Sequence, residues 1–230
     1  MNKIAFVTGA NRGLGFEFVK QLLHQNYRVI ATARNIAESH ELMALLKTNP
    51  NLCEFHPLDV TNNESLDHLK IFSKKLPKID LLINNAGTFG SPGKTLDSQL
   101  QDYENVFKVN VLGPLELCRA CWPLLEKSES PVSAMVTSLM GSICENSSGS
   151  YGPYRVSKAA LNMFSKNLSI DYPKICSVVL HPGWVQTRMG GKEAPLTPHQ
   201  SVEGMLKVLT GLQPSDSGKF FDYSGKILAW

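Results

Sequence analysis

Short, almost unbroken apolar runs alternate along the chain with longer segments of helical period. The runs are rich in β-branched residues, and continuous runs of this kind are typical of parallel strands that are covered on both faces. The pattern predicts strands at 4–8, 27–32, 52–56, 79–83, 132–137 and 175–180, followed by a last edge strand at Phe220-Phe221. Because strand and helix alternate, we expect an α/β fold with a doubly wound parallel sheet and helices on both of its faces.

Local signals mark two helix starts and two loops. Thr61-x-x-Glu64 has the spacing of a capping box, and Thr197-Pro198 places an N-cap before a proline at the first helical position. The helix predicted after Thr197 carries one apolar face, formed by Val202, Met205, Leu206 and Leu209. The loops 142–152 and 190–198 follow strand ends, where open α/β sheets bind ligands. We therefore expect both loops to line a pocket or to act as lids.

Composition narrows the classes of function. Of the 230 residues, 43% are hydrophobic and 19% are charged, which excludes a disordered chain. No linker, repeat or low-complexity tract divides the sequence, so we expect a single domain over 1–230. The net charge is only +3 and no Lys/Arg cluster stands out, so we expect no nucleic-acid or membrane partner.

The cysteines point to a reducing compartment. Their number, five, is odd, and they lie in apolar or helical surroundings. We interpret Cys118-x-x-Cys121 as helix packing rather than as a redox pair or half of a zinc site, and we expect no metal. No signal-peptide or membrane-spanning pattern is found, so the sequence predicts a soluble cytoplasmic protein.

A glycine-rich turn, Thr8-Gly9-Ala10-Asn11-Arg12-Gly13-Leu14-Gly15, follows the first predicted strand. Glycines let the backbone turn tightly and approach a phosphate, and the helix that follows offers free N–H groups and the positive end of its dipole. A purely structural tight turn is the alternative interpretation.

The end of the second strand indicates which dinucleotide the turn would hold. A carboxylate about 20 residues past the glycines would favour NAD. The strand instead ends in Ala33-Arg34, and Arg12 lies inside the turn. Two guanidinium groups suit a 2′-phosphate, so the prediction is NADP(H). The alternative is that both arginines are solvated surface charges.

The spacing Gly9-x-x-x-Gly13-x-Gly15, preceded by threonine, resembles that of the short-chain dehydrogenase/reductase family, which has a Rossmann-type fold. Further family motifs recur in the family's order: Asp59-Val60, Asn84-Asn85-Ala86-Gly87 and Pro182-Gly183-Trp184-Val185-Gln186-Thr187. The resemblance spans essentially all 230 residues. It implies that the first segment meets the adenine ring, that the small residues of the second let its backbone approach the cofactor, and that the third meets the nicotinamide carboxamide. The cofactor-binding residues that it implies are Gly9, Asn11, Arg12, Gly13, Leu14, Gly15, Arg34, Asp59, Val60, Asn85, Ala86, Gly87, Tyr154, Lys158, Val185 and Thr187.

Tyr154 and Lys158 lie four residues apart in a helical run, so their side chains project from one helix face. A free tyrosine has a pKa of about 10, and a fixed cation nearby favours the phenolate. We therefore expect Lys158, together with the oxidised cofactor, to lower the pKa of Tyr154. The family pattern assigns Ser138, at the end of the fifth strand, to the substrate oxygen, with Ser142 as the alternative.

Asn110 is the fourth predicted catalytic residue. Pro114 lacks the N–H that would bond to the carbonyl four residues earlier, so a helix through this segment should kink and free the Asn110 carbonyl. In the family, the equivalent carbonyl holds a water that relays protons from the lysine.

The activity implied by the resemblance is reduction of an aldehyde, ketone or quinone by hydride transfer from NADPH. Tyr154 would act as general acid and Ser138 would stabilise the oxyanion. The stretch 141–164, the tail 218–223 and Trp230 resemble the sniffer and C-factor-like branch of carbonyl reductases. Apolar residues near strand ends are equally consistent with a substrate pocket and with plain packing; they are Phe89, Met140, Tyr151, Trp184 and Met189.

Two other functions stay open. One is an NAD(P)-dependent alcohol or hydroxysteroid dehydrogenase that works in the oxidative direction. The other is a regulator that senses NADP(H) without turnover, although such a protein has no need to keep Asn110, Ser138, Tyr154 and Lys158 together. The resemblance also implies a homodimer or homotetramer that pairs through the long helices holding Asn110 and Tyr154.

Overall fold

The structure, a computed structural model, describes residues 2–37 and 39–230. Within these residues, seven parallel strands form one sheet in the order β3-β2-β1-β4-β5-β6-β7. The strands are β1 (Ile4–Thr8), β2 (Arg28–Ala33), β3 (Cys53–Pro57), β4 (Leu81–Asn84), β5 (Val132–Val136), β6 (Cys176–His181) and β7 (Phe220–Asp222). The helices are α1 (Gly13–His24), α2 (His40–Thr48), α3 (Asn63–Ser73), α4 (Leu100–Phe107), α5 (Gly113–Leu125), α6 (Gly152–Asp171) and α7 (Pro198–Gly211). The predicted doubly wound α/β fold is confirmed.

The apolar runs form strands because helices cover both faces of the sheet. All five residues of β1 are buried, and alternate side chains of the strand enter different cores. Val7 lies in the core that contains Leu22 of α1 and Met205 of α7. Phe6 lies in the opposite core, which contains Leu117 of α5 and Leu161 of α6. The predicted edge strand at 220–221 is present as β7.

One of the two predicted helix caps is correct and the other is wrong. Thr197 accepts a hydrogen bond from the Gln200 backbone, and the Gln200 side chain accepts one in return from the Thr197 backbone. At the start of α3, however, the cap is Asn62, which accepts from the Ser65 backbone at 2.8 Å. Thr61 does not cap the helix because its hydroxyl donates to Asp59 at 2.7 Å.

The strand order fixes where a ligand can bind. The chain leaves β1 towards β2 on one side, whereas β4 pairs with β1 on the other side. In such sheets the crevice lies at this switch point, beyond the carboxyl ends of the strands. The glycine-rich turn follows β1, and the Asn85-Ala86-Gly87 segment follows β4. Of the helices in the described residues, none is both long and apolar enough to cross a membrane.

Candidate active site

The glycine-rich turn has the conformation that its residues predict. Gly9 and Gly13 have φ values of +65° and +55°, in the left-handed region that favours glycine. A Cβ atom on Gly15 would overlap the carbonyl oxygen of Gly9, so the turn folds directly against the start of α1. Only a residue without a Cβ atom allows this close approach.

The first turn of α1 lacks the groups that usually complete a helix start. Arg12 occupies the N-cap position, its side chain makes no capping hydrogen bond, and the first turn contains no acidic residue. The free N–H groups and the positive end of the helix dipole are therefore available to an anion. The carbonyl of Asn11 accepts a hydrogen bond from the Ser39 hydroxyl at 2.7 Å, which ties the turn to the segment after β2.

Charges of both signs lie at the ends of β2 and β3. Arg12 and Arg34 are exposed. Burial by itself raises the pKa of Asp59, but hydrogen bonds from Thr61 and the nearby charges of Arg34 and Lys108 outweigh burial and hold this pKa below its ordinary value. Arg34 therefore lies close enough to Asp59 to act on its charge.

The segment after β4 is held against β1 by Thr8, the threonine that precedes the glycine-rich turn. Its hydroxyl accepts hydrogen bonds from the backbone N–H groups of Asn85 and Ala86, both at 3.0 Å. The Asn85 side chain in turn donates to the Thr8 carbonyl at 2.8 Å. A Cβ atom on Gly87 would lie 3.3 Å from Asn110 Oδ1 and 3.7 Å from Lys158 Nζ, so this glycine lets the backbone pass close to both side chains.

Ser138, which follows β5, and Tyr154 of α6 are brought together as predicted. Burial raises the pKa of the Tyr154 phenol to about 12, and a hydrogen bond with Ser138 opposes this shift. Ser142, the alternative, points elsewhere because its hydroxyl donates to the carbonyl of Ala229 at 2.8 Å. Ser138 is therefore the serine that shares the site with the tyrosine.

In the chain without cofactor, burial outweighs Lys158 and raises the pKa of Tyr154, whereas the expected lowering is for Lys158 and the oxidised cofactor together. Lys158 Nζ lies 5.6 Å from the centroid of the Tyr154 ring and donates to the carbonyl of Val136 at 2.8 Å. The ammonium is itself buried, and burial lowers its pKa to about 8. Loss of hydration, which penalises the charged form of each group, thus outweighs the attraction between them in the chain alone.

The helix around Asn110 is distorted, as Pro114 predicts. Between α4 and α5 the residues Lys108–Leu112 form a single π-helical turn, and the N–H of Gly113 bonds to the carbonyl of Lys108, five residues earlier. Pro114 has no N–H to give to the Asn110 carbonyl, so the wider turn places the distortion at this asparagine. The distortion is a π turn within a continuous helical path.

Both the amide nitrogen and the oxygen of the Asn110 side chain form hydrogen bonds within the protein. Its amide donates to the carbonyl of Thr88 and to the hydroxyl of Ser157, both at 2.9 Å. Its oxygen accepts from the Thr88 backbone N–H at 2.8 Å. The Ser157 hydroxyl donates to the Tyr154 carbonyl at 2.7 Å, so Asn110 links the segment after β4 to the turn of α6 that carries the tyrosine.

The loop after β6 contacts the glycine-rich turn. A Cβ atom on Gly13 would lie 3.6 Å from the Thr187 methyl group, so these two predicted cofactor-binding residues are neighbours. Val185 is buried, whereas Trp184 and Met189 are exposed apolar residues on the same loop. The indole of Trp184 donates to the carbonyl of Gly190 at 2.7 Å, which fixes its orientation.

Asn162 supports the site and was not predicted from the sequence, whereas Phe89 and Tyr151 were named as pocket candidates. Asn162 bonds to both Thr137 and Gly141, on either side of Ser138. The ring of Phe89 lies 4.5 Å from that of Tyr154 and 5.1 Å from that of Tyr151. A signal for Asn162 existed, because it lies four residues after Lys158 on the same helix face.

Cys118 and Cys121 are core residues rather than a redox pair. Burial raises the pKa of Cys118 to about 12, and Cys121 is also buried with a raised pKa. Such thiols are inert, and both lie in the core between α5 and the sheet. Among the described residues, no group of three or more His, Cys, Asp or Glu side chains is arranged to hold a metal ion.

Comparison with known proteins agrees with this geometry. The family model for short chain dehydrogenases matches residues 3–196. The C-signal protein of Myxococcus xanthus is 46% identical over 154 residues, which cover 66% of this chain and 93% of that protein. An uncharacterised oxidoreductase of Schizosaccharomyces pombe is 32% identical over 100% of this chain and 98% of its own length.

Solved structures give the same result. The carbonyl reductase Sniffer of D. melanogaster superposes with a TM-score of 0.93 and 34% identity, covering 100% of both chains. The NADPH-bound carbonyl reductase from chicken fatty liver superposes with a TM-score of 0.94 and 36% identity, covering 100% of this chain and 99% of that one. The resemblance to the sniffer branch is therefore confirmed, and the chain belongs to the short-chain dehydrogenase family.

Proposed function

We propose that the protein is an NADP(H)-dependent oxidoreductase that reduces a small carbonyl compound to the alcohol. The observation that carries this proposal is that Ser138 lies close enough to Tyr154 to act on its phenol at the carboxyl edge of the sheet, with Lys158 on the same helix face as the tyrosine. Two neighbouring hydroxyl groups suit a carbonyl oxygen on which negative charge develops.

The residues at the switch point fit a dinucleotide. The uncapped start of α1 suits the pyrophosphate, and the close contact of Gly15 with Gly9 leaves backbone rather than side chain facing it. Arg12 and Arg34 suit the 2′-phosphate that distinguishes NADP from NAD. The NADPH-bound chicken reductase, which has nearly the same fold, supports this choice. The bound cofactor supplies the hydride for the reaction.

The remaining predicted cofactor contacts lie at the same edge of the sheet. Asp59 and Val60 follow β3, on the side where the adenine would lie. Ala86 and Gly87 follow β4 in the middle of the site. Thr187 lies beside Gly13 and completes the opposite wall. The site therefore extends along the sheet edge, as an extended dinucleotide requires.

Tyr154 acts as the proton donor in this proposal. Burial raises its pKa to about 12, so the phenol is protonated at neutral pH. An alkoxide is a stronger base than a phenolate, so the proton passes from the phenol to the substrate oxygen as the alcohol forms. Ser138 donates a second hydrogen bond to the same oxygen and stabilises its developing charge.

Lys158 and Asn110 return a proton to the Tyr154 phenolate after the substrate has been protonated. The pKa of Lys158, which burial lowers to about 8, allows the ammonium to exchange its proton near neutrality. The side chain of Asn110 is engaged by Thr88 and Ser157, which holds its backbone in the π turn. The Asn110 carbonyl, to which Pro114 cannot donate, is the group that anchors a water between Lys158 and solvent.

Reduction is proposed over the oxidative alternative because the similar solved structures of Sniffer and of the chicken liver enzyme are carbonyl reductases. A regulator that only senses NADP(H) needs neither the Ser138–Tyr154 pair nor a buried ammonium.

The proposal is tested by following NADPH absorbance with a panel of aldehydes, ketones and quinones. We expect turnover by the wild-type protein, and Tyr154→Phe should lower kcat by about 10²–10⁴-fold while NADPH still binds. Tyr172→Phe is the matched control because Tyr172 lies at the other end of α6. NADPH binding without turnover of any carbonyl would instead favour the regulator.

The proposal includes self-association through α6. Val156, Met163 and Ile170 are exposed and lie seven residues apart, so they form one apolar stripe along this helix. Val156 also borders an apolar groove with Phe107 and Leu112. A second copy of the chain would cover the stripe, and Met163→Glu should then yield monomers in light scattering. A wild-type monomer would contradict this part of the proposal.

A further inference from the structure

The chain that leads into α6 has an unusual backbone. Gly149, Ser150 and Tyr151 have φ values of +62°, +57° and +53°, so three successive residues lie in the left-handed region. Only glycine enters this region without strain, and two of the three residues carry side chains. Strain of this kind persists only where the surrounding structure enforces it, and it concentrates at functional sites.

Arg155, the residue after Tyr154, enforces this turn. Its Nε donates to the carbonyls of Gly149 and Ser150 at 3.0 and 3.1 Å. One Nη donates to the Ser148 hydroxyl at 2.9 Å, and the other reaches the Met140 carbonyl at 3.4 Å. In the described part of the chain, no carboxylate forms an ion pair with this guanidinium, so its hydrogen bonds go to the turn and to the segment after Ser138.

The turn determines where the Tyr151 ring lies. The Tyr151 N–H donates to the Gly93 carbonyl at 2.8 Å, and the ring lies 5.1 Å from that of Phe89. The Phe89 ring lies 4.5 Å from that of Tyr154, so three aromatic rings pack in sequence and end at the proposed proton donor. Tyr151 is the N-cap residue of α6 and makes no side-chain capping bond, so the helix start depends on the turn itself.

We propose that Arg155 is a positioning residue that locks the left-handed turn, holds Tyr151 against Phe89 and thereby fixes the orientation of the Tyr154 phenol. This inference rests on the proposed function of Tyr154. A guanidinium is required because several N–H donors in one plane reach separate carbonyls, whereas a lysine ammonium is a compact point charge on a flexible stem. Arg155→Lys therefore keeps the positive charge but loses the hydrogen bonds that hold the left-handed turn.

The first experiment follows hydrogen exchange of residues 140–156 by mass spectrometry, without substrate. Arg155→Lys should speed exchange in this segment and leave β1 and β6 protected. Arg119→Lys is the matched control, because Arg119 is exposed on α5 and paired with Glu116. A segment that stays as protected as in the wild type overturns the inference, whatever the activity of the protein.

The second experiment measures carbonyl reduction. Arg155→Lys should lower kcat by about 10- to 100-fold, as expected when a reacting group is misplaced, while the dissociation constant for NADPH stays within about twofold. Tyr151→Leu should cause a similar loss, and the double variant should be no worse than either single variant because both act through one turn. Multiplicative losses, or an equal loss of NADPH affinity, would overturn the positioning role. A wild-type protein without turnover would overturn the proposed function instead.

Discussion

The hydroxyl of Thr137 donates a 2.6 Å hydrogen bond to the side-chain oxygen of Asn162, and both residues are buried. The Asn162 amide donates to the carbonyl of Gly141 at 3.2 Å. Thr137 and Gly141 flank Ser138, whereas Asn162 lies one helical turn after Lys158. One amide side chain therefore holds the end of β5 in register with the helix that carries Tyr154.

Asn162→Leu should weaken both folding and catalysis. The leucine fills a similar volume but leaves the Thr137 hydroxyl and the Gly141 carbonyl without their partner, so the free energy of unfolding should fall by about 1–3 kcal/mol. The kcat should fall as well, because Ser138 is no longer held against Tyr154. Asn162→Asp keeps the acceptor for Thr137, so denaturant titration should show an intermediate stability. Unchanged kcat in a folded Asn162→Leu protein would contradict the link to Ser138.

The buried ammonium of Lys158 should leave a signature in the pH dependence of stability. Burial lowers its pKa from 10.5 to about 8, so between these values the unfolded chain binds more protons than the folded chain. The free energy of unfolding should therefore rise with pH over this interval, and the penalty for burying the charge is present in full below pH 8. Denaturant titrations of the wild type and Lys158→Met at several pH values isolate this effect. Parallel curves would show that Lys158 keeps its ordinary pKa.

The sequence predicted the fold and most of the site because both depend on local patterns. Apolar runs such as Ile4–Thr8 are long enough to define strands, and parallel strands bring their carboxyl ends to one edge. The Tyr154–Lys158 spacing puts both side chains on one face of any helix. The glycine-rich turn likewise needs only a strand before it and a helix after it to form a phosphate site. Local patterns alone do not select Ser138 over Ser142, and the resemblance to the family places Ser138 with Tyr154.

Features that depend on which neighbouring residues bond to or bury a group were not predicted. Thr61 matched a capping box, yet Asp59 takes its hydroxyl and Asn62 caps α3 instead. The burial that raises the pKa of Tyr154 in the chain alone was not predicted either, because the degree of burial emerges only from packing. The left-handed turn at Tyr151 also has no signal in residue type, since it is enforced by the side chain of Arg155.

Asp80 should govern part of the acid stability. Burial by itself raises the pKa of Asp80, but hydrogen bonds from Lys78, Ser128 and the Ile4 N–H outweigh burial and keep the pKa below its ordinary value of 3.8. The stabilisation is therefore present above pH 3.8 and is lost as the pH falls through the lower, folded-state pKa. Asp80→Asn should lower the free energy of unfolding at pH 7 by about 1–3 kcal/mol and flatten its decrease in acid.

The matched control for Asp80 is Asp67→Asn. Asp67 pairs with Lys70 on the exposed surface of α3, where water screens the ion pair and it contributes little to stability. Thermal or denaturant unfolding between pH 3 and pH 7 measures both variants. If the two variants lose equal stability, the buried hydrogen bonds of Asp80 do not account for its effect.

The preference for NADPH should depend on Arg34 because this residue lies at the end of β2, where the ribose of the adenosine would lie. A guanidinium paired with a phosphate is worth about 1.5–3 kcal/mol, so Arg34→Asp should weaken NADPH binding by about 10- to 100-fold or more. NADH lacks the 2′-phosphate, so its affinity should stay the same or improve. Lys127→Asp makes the same change of charge near the amino end of β5 and should affect neither cofactor, since that end of the sheet lies opposite the site. Titrations of both cofactors by fluorescence measure these affinities, and an equal loss for NADPH and NADH would contradict the assignment of Arg34 to the phosphate.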